Sequence, residues 1–325
     1  MKEKEKELIP NLIGTSGDSL RESFGKALVN LAQDYPNFVV LDADVAGGTG
    51  THHFRKSNSN RFFQFGIAEQ NMMAAAAGMA TAGLIPIVTT FAVFCIRAIE
   101  QARLSIAYSG KNVKIVASHP GLDVGPDGGS AQSLEDLSYF RNMPGMVVIS
   151  PADSLEITQA TEEILKYIGP VYMRTGRSVS RKCLPDSYKF KIGKGVILKD
   201  GTDLSIIACG VQVSRALEAA KILEDKGLNA RVVNMSTIKP IDKDLIIKCA
   251  KETKFIITTE DHNIIGGLGS AVSEVLSQNF PTPMAFNGIK DVFGESGEPN
   301  ELVEKFEISS SSIADSAINL INKFK

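Results

Sequence analysis

Apolar and polar positions alternate along the chain in a way that predicts strands and helices in turn. Short β-branched runs at residues 38–42 and 113–118 have the length of buried strands. Amphipathic stretches at residues 19–33 and 154–166 have the spacing of helices, residues 92–108 favour a further helix, and residues 46–51 favour a glycine-rich loop. Strands that alternate with helices favour parallel sheets covered on both faces. The pattern therefore predicts an α/β protein with two doubly wound domains.

The periodic pattern is interrupted near residue 185. Residues 183–194 are polar and irregular, with Pro185, Asp186 and Gly193, which is typical of a linker. A second series of strands and helices follows it and includes a strand at residues 230–234. We expect one domain at residues 1–185 and a mostly parallel α/β domain at residues 195–325.

One apolar stretch is long enough to span a bilayer, because residues 72–96 contain no charged side chain. Gly83 and Pro86 divide it into an Ala/Met-rich piece typical of a helix and a β-branched piece typical of a strand. We therefore expect an interior helix and strand and no membrane partner.

Composition narrows the class of protein further. The 325 residues are 43% apolar and 22% charged, which suits a globular chain with two cores. A net charge of −2 does not favour nucleic acid. The four cysteines lie far apart without ligand spacing, so we expect neither disulfides nor a zinc site, and a cytoplasmic location. The first ten residues, MKEKEKELIP, predict a solvated leader and not a signal peptide.

Unusual polar residues gather where the predicted strands end. Parallel sheets bind ligands beyond the carboxyl ends of their strands, so a site is expected in those loops. The loops are residues 42–51, 66–70, 90–94, 118–129 and 259–269.

Glu69 is the only charged residue between Arg61 and Arg97. A carboxylate in the first turn of a helix favourably complements the helix dipole, which explains this residue without any function. Burial among apolar neighbours would also suit the acid to proton exchange with a ligand. The residues alone leave both interpretations open.

Several ordered motifs resemble one family. The runs FGIAEQNM, TFAVF, SHPGLDVGPDGG and SPAD resemble the pyrimidine-binding domain of transketolases, and the second half resembles their C-terminal domain. The resemblance covers essentially the whole chain and implies thiamine diphosphate as the cofactor. It implies that Glu69 is catalytic: a proton shared between Glu69 and the aminopyrimidine ring favours the imino tautomer that activates the thiazolium carbon.

Further cofactor contacts are implied by the same resemblance. Phe91 and Phe94 would line the aminopyrimidine pocket, although their spacing alone favours ordinary core aromatics. Asp44 and Val45 match a loop that approaches the cofactor, although an aspartate there is often a turn residue. Arg97 stands where many transketolases carry an aromatic residue, so the resemblance does not identify the side chain that forms the far wall of the pocket.

Substrate contacts are also implied. His119 would act at the reacting end of the substrate, and Asp127 would bind a sugar hydroxyl. Arg21 and Arg177 would bind the distal phosphate, because a guanidinium donates two hydrogen bonds to an oxyanion. The residues alone favour a structural hydrogen-bonding role for His119, and solvated surface charge is the alternative interpretation of the two arginines.

Two departures from the family pattern concern the substrate. Ala131 stands where many members have a second histidine, and the adjacent pair His52 and His53 is unusual. We expect His52 to face an altered substrate channel and the sugar to differ from the usual pentose phosphates. No acidic or cysteine partner lies at ligand spacing from the pair, so no metal site is expected there.

The chain has no GDG stretch followed by a suitable asparagine, the motif that holds Mg²⁺ and the diphosphate in thiamine-dependent enzymes. We therefore expect an N-terminal partner subunit that carries this motif and most of the Mg²⁺ contacts, in an α2β2 assembly. Alternatives are the β subunit of a 2-oxo acid dehydrogenase, a deoxyxylulose-phosphate synthase and a non-catalytic regulatory subunit.

Overall fold

The computed structural model describes residues 16–324, in which strands and helices alternate. The predicted leader lies outside these residues. The strands are β1 (Ser16–Ser19), β2 (Phe38–Asp42), β3 (Phe62–Gln64), β4 (Ile85–Phe91), β5 (Lys114–Ser118), β6 (Val147–Ile149), β7 (Val171–Thr175), β8 (Val179–Arg181), β9 (Val196–Lys199), β10 (Leu204–Ala208), β11 (Ala230–Asn234), β12 (Thr237–Lys239), β13 (Ile256–Asn263) and β14 (Met284–Ile289).

The α-helices are α1 (Leu20–Leu31), α2 (Ala46–Thr49), α3 (His52–Ser57), α4 (Glu69–Thr81), α5 (Ala92–Cys95), α6 (Ile99–Gln101), α7 (Asp136–Arg141), α8 (Ser154–Lys166), α9 (Gln212–Asp225), α10 (Lys243–Glu252), α11 (Leu268–Asn279), α12 (Pro299–Lys305) and α13 (Ser310–Phe324). Side chains cap two of the long helices, since Ser19 accepts a hydrogen bond from the Glu22 N–H and Asp153 accepts two at the start of α8.

Two sheets carry the fold. The first has seven strands in the order β12–β6–β7–β5–β4–β2–β3, all parallel except β12. The second has five in the order β14–β13–β10–β11–β9, all parallel except β9. The strands β1 and β8 form a separate antiparallel pair. The predicted α/β class with two doubly wound domains is confirmed.

The two halves of the chain are not separate in space. Strand β12 lies in the second half of the sequence but completes the edge of the first sheet beside β6. Residues 183–194 contain no helix or strand, as the sequence predicts, yet Cys183 and Leu184 are buried and donate backbone hydrogen bonds to Asp153. The connection is therefore packed against the first domain.

Helices cover both faces of the first sheet. On one face α1 and α8 pack together and bury Phe24, Leu28 and Ile157. On the other face α4 buries Met72 and Met73. Burial on both faces explains the uncharged sequence of β4. No helix within residues 16–324 has the length and apolar character needed to cross a membrane.

Local structure departs from the sequence pattern in two places near the site. The predicted glycine-rich loop at residues 46–51 contains α2 and leads directly into α3. The predicted long helix at residues 92–108 is broken into α5, a 3₁₀ turn, α6 and a π-helix at Ala102–Tyr108. Such irregular turns change the direction of successive side chains.

Candidate active site

The carboxyl ends of β2, β4 and β5 lie side by side, and Phe91 at the end of β4 pairs in register with Ser118 at the end of β5. The Phe91 ring stacks on the His119 ring with centroids 3.7 Å apart and planes 19° apart. It also faces the Phe94 ring, with centroids 5.4 Å apart and planes 9° apart. The structure thus brings the predicted aromatic pair and the predicted histidine together.

Glu69 begins α4, which has no side-chain N-cap. The ionisable side chain of Glu69 is buried, and only 5% of the residue is exposed. Its Oε1 lies 3.4 Å from Nη1 of Arg97, whose guanidinium carbon lies 4.9 Å from the centre of the Phe94 ring. Arg97 therefore links the acid to the aromatic pair.

Asp42 organises the loop that contains Asp44 and Val45. It is fully buried at the end of β2 and accepts hydrogen bonds from both the loop and the strands beside it. The donors are the Val45 N–H at 2.9 Å, the Gln64 amide at 3.1 Å and the hydroxyls of Thr49, Thr51 and Thr89 at 3.3, 3.3 and 3.2 Å. This role of Asp42 was not predicted from the sequence, and the threonines that follow it, Thr49 and Thr51, are the signal that could have shown it.

The same loop approaches the aromatic stack at Gly48. A Cβ added at Gly48 would lie 2.5 Å from a ring carbon of Phe91 and 3.4 Å from Cε1 of His119. Real side chains do not come so close to an aromatic ring. Gly48 therefore lets the α2 backbone lie directly against the stack, while Asp44 adopts a φ of 63° to make the turn.

His119 is buried and has a positive φ of 59°, in the left-handed region that side chains rarely adopt. Its Nδ1 lies 2.9 Å from the Ser118 hydroxyl. Burial, followed by the charges of Arg21 and Arg177, lowers the pKa of His119 to about 3. The ring is therefore neutral near pH 7 and can exchange hydrogen bonds with a ligand without carrying charge.

The predicted arginines lie on this side of the site, within electrostatic range of His119. Arg177 donates to the Val124 carbonyl at 2.8 Å, and its Nη2 lies 3.7 Å from Oδ1 of Asp127. Arg21 donates to the Gly48 carbonyl at 3.4 Å, and its buried Nε has no hydrogen-bond partner among the described residues. These donors can bind an anionic group.

His52 lies against His53, with ring centroids 4.0 Å apart. His53 Nε2 is 2.7 Å from Oε2 of Glu22 on α1. The interpretation that this pair has no acidic partner is wrong, because the fold brings in a carboxylate from a distant part of the sequence. The contact of His52 with substrate stays a prediction.

The second domain also contributes to the site. Asp261 on β13 accepts hydrogen bonds from the Leu122 N–H at 2.9 Å and the Asp123 N–H at 3.3 Å, and thereby holds the segment after His119. Its own carbonyl accepts from Arg174 at 3.0 Å. No local sequence signal could reveal the contacts of Asp261 with Leu122 and Asp123, because they join residues more than a hundred positions apart.

Fold and site together define a class: an α/β domain with aromatic and buried polar residues at the carboxyl ends of its strands, followed by a second α/β domain that holds one of its loops. The chain belongs to the transketolase family. The family model for the transketolase pyrimidine-binding domain matches residues 17–182, and that for the transketolase C-terminal domain matches residues 193–313.

Individual relatives cover nearly the whole chain. A Methanocaldococcus jannaschii protein described as a transketolase C-terminal section is 45% identical over 91% of this chain and 94% of its own length. A 6-deoxy-6-sulfo-D-fructose transketolase subunit from Clostridium sp. is 38% identical over 92% of this chain and 93% of its own. A solved split-gene transketolase, an inactive β4 tetramer, is 45% identical with a TM-score of 0.88 and covers 94% of this chain and 99% of that chain.

The family implies thiamine diphosphate, and the described residues fit its aminopyrimidine end. An aminopyrimidine is flat, largely apolar on its faces and polar at its edge. The Phe91 and Phe94 rings provide a parallel surface, and Glu69 provides a buried hydrogen-bonding group within reach of the same wall.

Proposed function

We propose that this chain is the C-terminal subunit of a two-polypeptide transketolase, which transfers a two-carbon ketol unit from a ketose to an aldose. The observation that carries the proposal is the buried Glu69 beside the aromatic pair, in a chain whose matched domains are the pyrimidine-binding and C-terminal ones. Bound thiamine diphosphate supplies the carbanion chemistry. The protein provides orientation and proton control.

Each residue has a separate task in this proposal. Glu69 holds a proton against the edge of the aminopyrimidine ring, and Phe91 and Phe94 exclude water from its faces. Neutral His119 hydrogen-bonds the reacting end of the sugar. Arg177 binds its anionic end, and Asp127, beside Arg177, binds a hydroxyl.

A separate N-terminal subunit completes the enzyme in this proposal. It supplies the GDG…N motif that holds Mg²⁺ and the diphosphate, and two copies of each subunit form an α2β2 assembly. The relative described as a C-terminal section and the inactive tetramer of a split-gene transketolase subunit support the need for a partner.

Reconstitution tests this assignment. The chain and an N-terminal subunit from the same cell are purified separately, then assayed singly and mixed, with Mg²⁺ and thiamine diphosphate. We expect turnover only in the mixture and its loss when either cofactor is removed. Turnover by this chain alone would contradict the two-subunit proposal.

We also propose that the sugar is not a standard pentose phosphate. Ala131 and the histidine pair depart from the family pattern, and a relative of 38% identity is named for a sulfonated ketose. The assay compares kcat/KM for 6-deoxy-6-sulfofructose and for xylulose 5-phosphate, each with the same aldose. A pentose phosphate turned over more efficiently than the sulfonated sugar would count against this part of the proposal.

A further inference from the structure

Three side chains that commonly bind metals meet between α1 and α3. Glu22, His52 and His53 each offer one ligand atom, and all three atoms lie within 4.8 Å of one another. The closest pair is His53 Nε2 and Glu22 Oε2 at 2.7 Å, and the two imidazole rings lie 4.0 Å apart. The three residues form the His–His–Glu cluster.

Backbone packing holds the two helices of this cluster together. A Cβ added at Gly25 would lie 2.1 Å from the Gly50 carbonyl oxygen and 3.2 Å from Cδ2 of His53, so the α1 backbone touches the segment that leads into α3. Glu22 lies three residues before Gly25, one helical turn away on the same face. Close contact between the two backbone segments therefore fixes the positions from which Glu22, His52 and His53 extend.

The cluster is not explained by an ion pair alone. The contact between His53 and Glu22 uses two of the three side chains and leaves out His52. Nδ1 of His52 is buried and has no hydrogen-bond partner among the described residues. An unpartnered buried ring nitrogen is unfavourable, and a metal ion or a proton-donating ligand would satisfy it.

We propose that Glu22, His52 and His53 bind a divalent transition-metal ion of the Zn²⁺ type, with at least one coordination position open. Two imidazoles and one carboxylate form a common ligand set of zinc sites that keep an open position. Glu22 and His53 are each 33% exposed at the side chain, which gives an ion access from solvent.

The neighbouring charges are compatible with such an ion. Lys26 is the nearest lysine along α1, and Asp18 binds its amine at 2.6 Å. Arg21 precedes Glu22 in the sequence, so a bound ion would add positive charge next to a residue expected to bind the anionic end of the sugar.

Zn²⁺ binding to the full-length chain tests the site, without partner subunit or thiamine diphosphate, so the result is independent of the proposed function. The chain is first treated with a chelator and then titrated with ZnCl₂ by calorimetry. Co²⁺ provides a second readout, because its visible absorption reports the coordination geometry. We expect one saturable site in the unaltered chain.

Ligand variants and matched controls identify the residues. His52→Ala and Glu22→Gln should each weaken Zn²⁺ binding at least about tenfold and abolish the tetrahedral Co²⁺ spectrum. Glu100→Gln, an equal change at an exposed acid outside the cluster, and Lys56→Ala on the same helix should leave both readouts unchanged. Circular dichroism confirms that each variant is folded.

Two results would overturn the metal site. One is the absence of saturable Zn²⁺ binding by the folded chain. The other is equal binding by the unaltered chain and both ligand variants, which would place the ion elsewhere.

Discussion

His119 combines a strained backbone, a buried ring and two nearby arginines. Burial, followed by the charges of Arg21 and Arg177, lowers its pKa from 6.5 to about 3. A group with a lowered pKa binds its proton more readily in the unfolded chain. The free energy of unfolding should therefore fall as the pH decreases from about 6.5 towards 3, through the contribution of this residue.

NMR of the ring protons tests the charge state. The His119 resonance, assigned by its loss in His119→Asn, should not shift between pH 5 and 8. A titration centred near 6.5 would show that the ring is solvated and that the buried arrangement is wrong.

Arg177 should affect binding of the anionic end of the sugar more than the chemical step. Hydrogen bonds to charged groups contribute about 1.5–3 kcal/mol, so Arg177→Ala should raise KM roughly 10- to 100-fold with a smaller change in kcat. The measurement is steady-state kinetics of the reconstituted enzyme. A ketose without the anionic group is the control, and an equal rise in its KM would argue against a role in anion binding.

Residue identities predicted where some of the candidate site residues lie in the fold. The motif around Glu69 predicted an acid at the start of an apolar helix, and the structure places it there. The role of Asp42 could not be predicted in the same way, because an aspartate at a strand end has several common structural uses. Its role depends on which hydroxyls the fold brings near it.

At the scale of elements, the close approach of α2 to the aromatic stack requires a glycine at position 48. Gly48→Ala would place a methyl group 2.5 Å from the Phe91 ring. Such overpacking typically costs about 1–3 kcal/mol, so thermal unfolding should occur at a lower temperature, with weaker thiamine diphosphate binding in the reconstituted enzyme.

Gly47→Ala is the matched control in the same short helix, because a Cβ there meets no atom within 4 Å. It should be neutral or stabilising by up to about 1 kcal/mol. Equal destabilisation by both changes would show that α2 does not lie against Phe91.

Most element positions followed from periodicity, and α8 and β11 have the predicted bounds. The prediction of one continuous helix at residues 92–108 was wrong, because composition does not encode where a helix changes its hydrogen-bonding pattern. Contacts with neighbouring elements decide this, and they appear only when the chain is folded.

For the whole molecule, the second domain holds a loop of the first. Asp261→Ala would leave the buried Leu122 and Asp123 N–H groups without an acceptor. We expect a loss of about 1–3 kcal/mol in the free energy of unfolding and a fall in kcat through misplacement of His119. Denaturant unfolding and kinetics measure the two effects.

Asp315→Ala removes an exposed carboxylate from the same domain and should change neither quantity. If Asp261→Ala behaved like this control, the contact between the domains would have no role in positioning the loop.

The sequence predicted two domains but could not show how the two halves of the chain join. Strand β12 belongs by its position in the sequence to the second domain, yet it pairs with β6 at the edge of the first sheet. Short strands carry too little periodicity to indicate their partners, and pairing across domains is fixed by the global topology.

The central claim is that Glu69 controls a proton on the cofactor ring. The most direct measurement is kcat of the reconstituted enzyme with Glu69→Gln, which keeps the size of the side chain but cannot exchange a proton, with Glu100→Gln as control. We predict a loss of about 10²- to 10⁴-fold with thiamine diphosphate still bound. A variant that binds the cofactor and retains kcat within about tenfold of the unaltered enzyme would contradict the account.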